Sequence, residues 1–215
     1  MKYYISINNI QIFIKKGVNK MANKKTEPVT EEQMKNIIHT IRSGFLNTHP
    51  NDTVAAVLVV EGNLGLRISD ILKLKLEDIK LISSPSGGIR YHLDIIEKKT
   101  GKERNFIVNK EIYYFLLDYC RKHNRTDKEK IFQVSERWCQ IILQKACDYL
   151  GYDGSVIGTH SFRKFFATEL YYENEKDIRL IQTVLQHSSS SVTARYIGVS
   201  SQQVENALEN HKHIF

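Results

Sequence analysis

Residues 79–109 read IKLISSPSGGIRYHLDIIEKKTGKERNFIVN, and along them the hydrophobic period changes from that of a helix to that of a strand. Segments 79–84, 88–99 and 102–109 are predicted as three strands, separated by the turns SPSGG and KTGK. Connections this short leave no room for a crossover, so the strands must be antiparallel. On both sides the helical period returns. Upstream, Thr30 and Gln33 form a capping-box pattern opening TEEQMKNIIHTIRSGF, with Met34, Ile37, Ile38 and Ile41 on one face. A second helix, from about Asp52 to Glu61, is nearly all apolar and is predicted to be buried. GNLGLR breaks it, and a short helix, DILKLKLEDI, begins at Ser69 or Asp70. Downstream, KEIYYFLLDYCRKH places Ile112, Phe115, Leu116 and Tyr119 at i, i+3, i+4 and i+7. SERWCQIILQKACDYL turns Trp138, Ile141, Ile142 and the stem of Lys145 to one side. GTHSFRKFFATEL, DIRLIQTVLQH, SVTARYI and SQQVENALEN follow as helices. The expected fold is α+β, mainly helical with one small three-stranded antiparallel sheet.

The 215 residues are 41% hydrophobic and 10% aromatic with three prolines, enough for one well-cored domain. No apolar run approaches the roughly 20 residues of a membrane helix, and the opening segment lacks the pattern of a signal peptide. Cys120, Cys139 and Cys147 are odd in number and show no CxxC spacing, so they read as reduced thiols of a cytoplasmic protein. The net charge is +7, but residues 1–29 hold six lysines against the single acid Glu27, +5 of that total. The division expected is a basic N-terminal extension, 1–29, and one domain, 30–215. The extension reads either as an arm for nucleic-acid backbone or, with Met21 as an alternative start, as a segment outside the functional chain. The body carries little net charge, so a nucleic-acid site there needs a local basic patch.

Four separated segments hold the polar residues of such a patch. GLRISD places Arg67 between a buried helix and a new helix start. KKTGK puts lysines on a β-turn. THSFR sets His160 and Arg163 three apart, so both project from one side of a helix. LQHSSSSVTARYIG supplies His187, with Tyr196 nine residues on. An arginine fork beside an imidazole suits a phosphate. Each segment also has a plain structural reading: Arg67 on helix carbonyls, His160 as a cap, Arg163 paired with Glu169 or Asp177, Tyr196 as packing.

Taken together and in this order, G-L-R-I-S-D, K-T-G in a hairpin, H-x-x-R and L-x-H followed by a tyrosine resemble the tyrosine recombinases of the phage integrase family. The resemblance covers residues 28 to 210. It implies a site-specific recombinase or integrase that cleaves and rejoins DNA through a 3′-phosphotyrosyl intermediate. On that resemblance Arg67 and Arg163 would clamp the scissile phosphate, His160 would exchange a proton with the nucleophile, and His187 would hydrogen-bond a phosphate oxygen. Tyr196 would attack, and Lys99, directly before Thr-Gly, would protonate the leaving oxygen. Asp70 matches the family's supporting acid, or simply caps its helix. The exchange of one phosphodiester for another needs no ATP, in keeping with the lack of a G-x-x-x-x-G-K-[ST] loop; no cofactor and no metal are expected. The partners implied are double-stranded DNA, further copies of the chain in a tetrameric synapse, and accessory DNA-bending proteins. Most members carry a core-binding domain ahead of the catalytic one, and here 29 residues precede it. A catalytically idle DNA-binding regulator of the same fold is the alternative, and the intact set of six residues favours the enzyme.

Overall fold

The structure, a computed structural model, describes residues 6–7, 10–11, 26–83, 87–97, 99 and 101–197. Most of the basic extension and the whole SQQVENALEN segment therefore lie outside the described residues. Ser6–Ile7 (β1) and Ile10–Gln11 (β2) pair antiparallel. The body opens at residue 26: Val29 is buried, and the Glu27 amide donates to the Val156 carbonyl at 2.9 Å. Among the described residues, those just ahead of Thr30 already pack on the body.

Helix α1, Glu31–Ser43, begins with the expected capping box. Thr30 Oγ1 accepts from the Gln33 amide at 3.1 Å, and the Gln33 side chain accepts from the Thr30 amide at 2.9 Å. Two of the helix's first amides are satisfied in this way, while Met34, Ile37 and Ile41 turn inward. Helix α2, Asp52–Leu64, is apolar on all sides because it is the central helix, packed between α1 and α6, the helix Thr159–Glu173. The sequence expectation ended α2 at GNLGLR. The helix instead continues through Gly62 and stops at Gly65, whose φ of 56° is left-handed and whose amide closes on the Glu61 carbonyl at 3.1 Å. A side chain at Gly65 would also run into the Phe166 ring, so glycine lets α2 and α6 approach.

The next expected helix is much shorter than the sequence suggested. Helix α3 covers only Ile68–Ile71, followed by a turn and a 3-10 turn, Leu76–Asp78. The reason lies in LKLKL: Leu74 and Leu76 both bury, and residues two apart share a side only in extended chain. Lys75 accordingly forms a bridge with Lys130. Strands β3 (Ile79–Ser83), β4 (Ile89–Ile96) and β5 (Glu103–Val108) form the expected antiparallel sheet in the order β3-β4-β5. Ile79 pairs with Leu93 and Leu93 with Phe106, setting one face of the sheet against the helices.

Helix α4, Lys110–Lys122, buries Leu116 and Tyr119 as expected. Helix α5, Glu136–Leu150, is rotated from its expected face. Trp138 stays 45% exposed and Lys145 faces solvent, whereas Cys139, Ile142, Leu143, Ala146 and Cys147 bury. This stripe has the same i, i+3, i+4, i+7 spacing, but its small residues let α5 sit closer to the core. All three cysteines are free and buried. No helix among the described residues is long and apolar enough to cross a membrane.

Helix α6 joins two clusters. Phe162 belongs to the main core, while Ala167 packs with Ile181 and Leu185 of α7 (Ile178–Leu185) and with Ile197 after α8 (Ser190–Tyr196). Its first turn therefore stands where the α2–α3 corner, the end of α7 and the end of α8 meet.

Candidate active site

Arg163 follows that first turn directly and is fully buried; it and Arg104 head the largest fully buried side chains described. Its Nη1 donates to the Gly65 carbonyl at 2.6 Å and its Nη2 to the Leu185 carbonyl at 3.2 Å. Gly65 stands two residues before Arg67 and Leu185 two residues before His187. One guanidinium therefore fastens the segments that carry the other two expected phosphate contacts. Neither Glu169 nor Asp177 is its partner.

Arg67 stands at the N-cap of α3, where GLR leaves the glycine turn. Its guanidinium is not on a helix carbonyl but ion-paired with Glu97, the residue following β4. His187 follows α7 and its Nδ1 lies 3.1 Å from Thr193 Oγ1. Tyr196 closes α8, half-buried, with its ring centroid 4.5 Å from that of His187. The Arg163 guanidinium carbon lies 5.9 Å from the tyrosine ring centre and the Lys164 ammonium 5.6 Å. His160 is exposed at the start of α6, and Lys99 is exposed on the β4–β5 turn. Both belong to the same electrostatic neighbourhood: His160 feels Arg163, Arg67, Lys164 and Lys99. The structure thus gathers the six sequence-selected residues around one spot. Asp70 is buried in α3, where its charge acts on Arg104.

Cations dominate this spot. Partial removal from water, then Arg163, Arg67 and Arg104, push the His187 pKa down to about 4. Crowding by surrounding protein, though part of the ring stays open to solvent, and then its four cationic neighbours lower the pKa of His160. Burial and the neighbouring Arg104 bring even Arg163 down to about 10. Both imidazoles are therefore neutral at pH 7, able to donate from one nitrogen and accept at the other. A site where cations outnumber carboxylates suits an anion with several oxygens.

The His187 shift has a definite consequence for stability. Its ordinary pKa is 6.5 and its folded value about 4, so between these pH values the unfolded chain binds a proton that the fold does not. Stability contributed above pH 6.5 is lost as the pH falls through this window. His187→Gln is expected to lessen the drop in urea midpoint between pH 7 and pH 4.5; an unchanged drop would assign the acid sensitivity elsewhere.

Four further polar residues belong to the site and were not singled out from sequence. Glu97 bridges Arg67 and Arg104, the latter at 3.1 Å. Arg104 is an inward position of β5, legible from the alternation of KERNFIV, where a charged residue falls on the buried face. Lys164 donates to the Thr26 carbonyl. Glu61, fully buried in α2, has no hydrogen-bond partner on either carboxylate oxygen among the described residues; burial pushes its pKa well up, with Arg163 opposing. In sequence Glu61 was hidden within an apolar run.

An antiparallel sheet beside a helical body, with a tyrosine set against arginines, lysines and two imidazoles, defines the catalytic domain of a tyrosine-type site-specific recombinase. The chain belongs to the phage integrase family, which matches residues 27–203. It is 33% identical over 171 residues to "Probable integrase/recombinase YoeC" of Bacillus subtilis, covering 75% of this chain and 85% of that one. It is 26% identical over 192 residues to tyrosine recombinase XerC of Caldanaerobacter subterraneus, covering 85% of this chain but only 50% of that relative. Among solved structures, XerH bound to its difH substrate before cleavage superposes with a TM-score of 0.61 at 20% identity, over 88% of this chain and 56% of that one. The catalytic domain of bacteriophage HP1 integrase gives 0.57 at 16% identity, over 87% of this chain and 96% of that one.

Proposed function

We propose that the chain cuts and reseals double-stranded DNA with Tyr196 as the nucleophile. The observation that supports this most is that Arg163, Lys164 and His187 lie against the Tyr196 ring, with Arg67 and His160 in the same cationic neighbourhood. A phenol has an ordinary pKa near ~10 and attacks only when its proton is taken and the charge formed is stabilised. In the proposed step the Tyr196 oxygen bonds to phosphorus and its proton passes to His160. The bond from phosphorus to the 5′ oxygen breaks, and Lys99 protonates that oxygen to a free hydroxyl. Arg67, Arg163 and His187 hold the non-bridging oxygens as charge builds on them. Resealing is the same sequence reversed with a different 5′ hydroxyl, so bond energy is conserved.

The Tyr196 ring centre lies 5.9 Å from the Arg163 guanidinium carbon, so the proposed nucleophile and this arm of the clamp are neighbours. DNA recognition is assigned to the basic face around Lys99 and His160, assisted by the lysines of residues 1–29. Assembly of several copies on paired sites, and work in the cytoplasm, follow from the same reading.

Incubation of the protein with the DNA that flanks its own coding sequence tests this. The expected result is a protein–DNA species that survives denaturing electrophoresis. DNA binding without such a species would instead indicate the idle regulator.

A further inference from the structure

Lys99 poses a structural problem. It sits on an exposed turn, where a lysine has many conformations, yet a proton donor must be held within hydrogen-bond reach of one oxygen. Glu97, two residues earlier, is the point at which this turn is anchored. Its amide donates to the Lys102 carbonyl at 2.9 Å, and its carbonyl accepts from the Gly101 amide, also at 2.9 Å. Its side chain leaves the turn and enters the interior, where it is wholly buried. There one carboxylate oxygen takes Arg67 and the other takes Arg104 Nη1 at 3.1 Å. Arg104 lies on β5, the returning strand of the same hairpin. A single carboxylate thus holds both arms of the hairpin and the arginine that opens α3.

A buried bridge of this kind is a poor source of stability. Desolvation of the ions offsets most of their attraction, and apolar replacements of similar volume often do as well. What the bridge does supply is geometry, since the planar guanidinium forks admit a narrow range of carboxylate positions. We propose that Glu97 is a positioning residue: it registers the Lys99 hairpin against Arg67, so that the proton donor and the phosphate clamp keep a fixed spacing. This rests on the reading of Lys99 as the leaving-group acid.

The test uses the full chain and two DNA substrates at the mapped cleavage site, one ordinary and one with sulfur in place of the bridging 5′ oxygen. A thiolate leaves without a proton, so the second substrate bypasses Lys99 but still needs the arginine clamp. Lys99→Ala is the reference and should be slow on ordinary DNA and restored on the sulfur substrate. Glu97→Gln should follow it, losing about 100-fold on ordinary DNA, as expected for a group displaced by about 1 Å, and recovering most of that loss on the sulfur substrate. Because Glu97→Gln leaves Arg104 buried without a counter-charge, Glu97→Gln combined with Arg104→Met serves as a second variant, with the same expected pattern. If Lys99→Ala is restored by sulfur while both Glu97 variants stay equally slow on the two substrates, Glu97 supports only the clamp or the fold and the proposal is overturned. Lack of restoration for Lys99→Ala itself removes the lysine assignment, and the role of Glu97 with it.

Discussion

Tyr196→Phe is expected to abolish the covalent protein–DNA species while leaving DNA affinity within about threefold of the parent, because phosphate contacts rather than the hydroxyl carry binding. Phenylalanine keeps the ring that packs near His187 and lies below the Arg163 and Lys164 cations. Ile197, directly after it, remains buried and holds the end of α8 in place. What disappears is the oxygen proposed to bond phosphorus. The loss should therefore be complete rather than graded, and thermal unfolding should be nearly unchanged. Electrophoretic mobility shift and denaturing gels on the same samples separate binding from bond formation.

Arg163→Ala should have the next largest effect, and on two quantities at once. Removing one charged donor from a transition-state clamp costs on the order of 10²–10³ in rate. The same change strips partners from the Gly65 and Leu185 carbonyls, and leaving buried polar groups unpaired costs about 1–3 kcal/mol each. Because those carbonyls stand two residues before Arg67 and His187, the clamp would lose its frame together with one of its members. Arg163→Lys restores the charge but not the two-pronged geometry, so it should recover stability only in part and activity little. Cleavage within about tenfold of the parent, measured below the unfolding temperature of each variant, would remove Arg163 from the transition-state role.

The six proposed site residues stood out in sequence because they sit at places where local rules are broken for no packing reason. Arg67 follows a glycine stop, Lys99 marks a hairpin tip, and His160 with Arg163 interrupts a phenylalanine-rich helix. The sheet was legible from its period and from turns too short for any other connection. Glu97 was not, because a charged residue at the end of a strand reads as solvent-exposed until the partner strand and Arg67 are brought to it; Arg104 fell on the inward side of β5 but its partner could not be read. The Trp138 face of α5 misled for a related reason. A large aromatic looks like an anchor, but the close packing of this helix selected the smaller Cys139, Ala146 and Cys147 instead. The length of α3 was misjudged because LKLKL fits a helix locally, while burial of Leu74 and Leu76 required extended chain.

The most direct test is to isolate the covalent protein–DNA species, digest both components, and sequence the linked peptide and the linked nucleotide end. The proposed mechanism predicts a phosphodiester from the oxygen of Tyr196 to a DNA 3′ end, with a free 5′ hydroxyl on the released strand. Linkage through any other residue would contradict the assignment of Tyr196 as the nucleophile, and linkage to a 5′ phosphate would contradict the proposed loss of the 5′ oxygen.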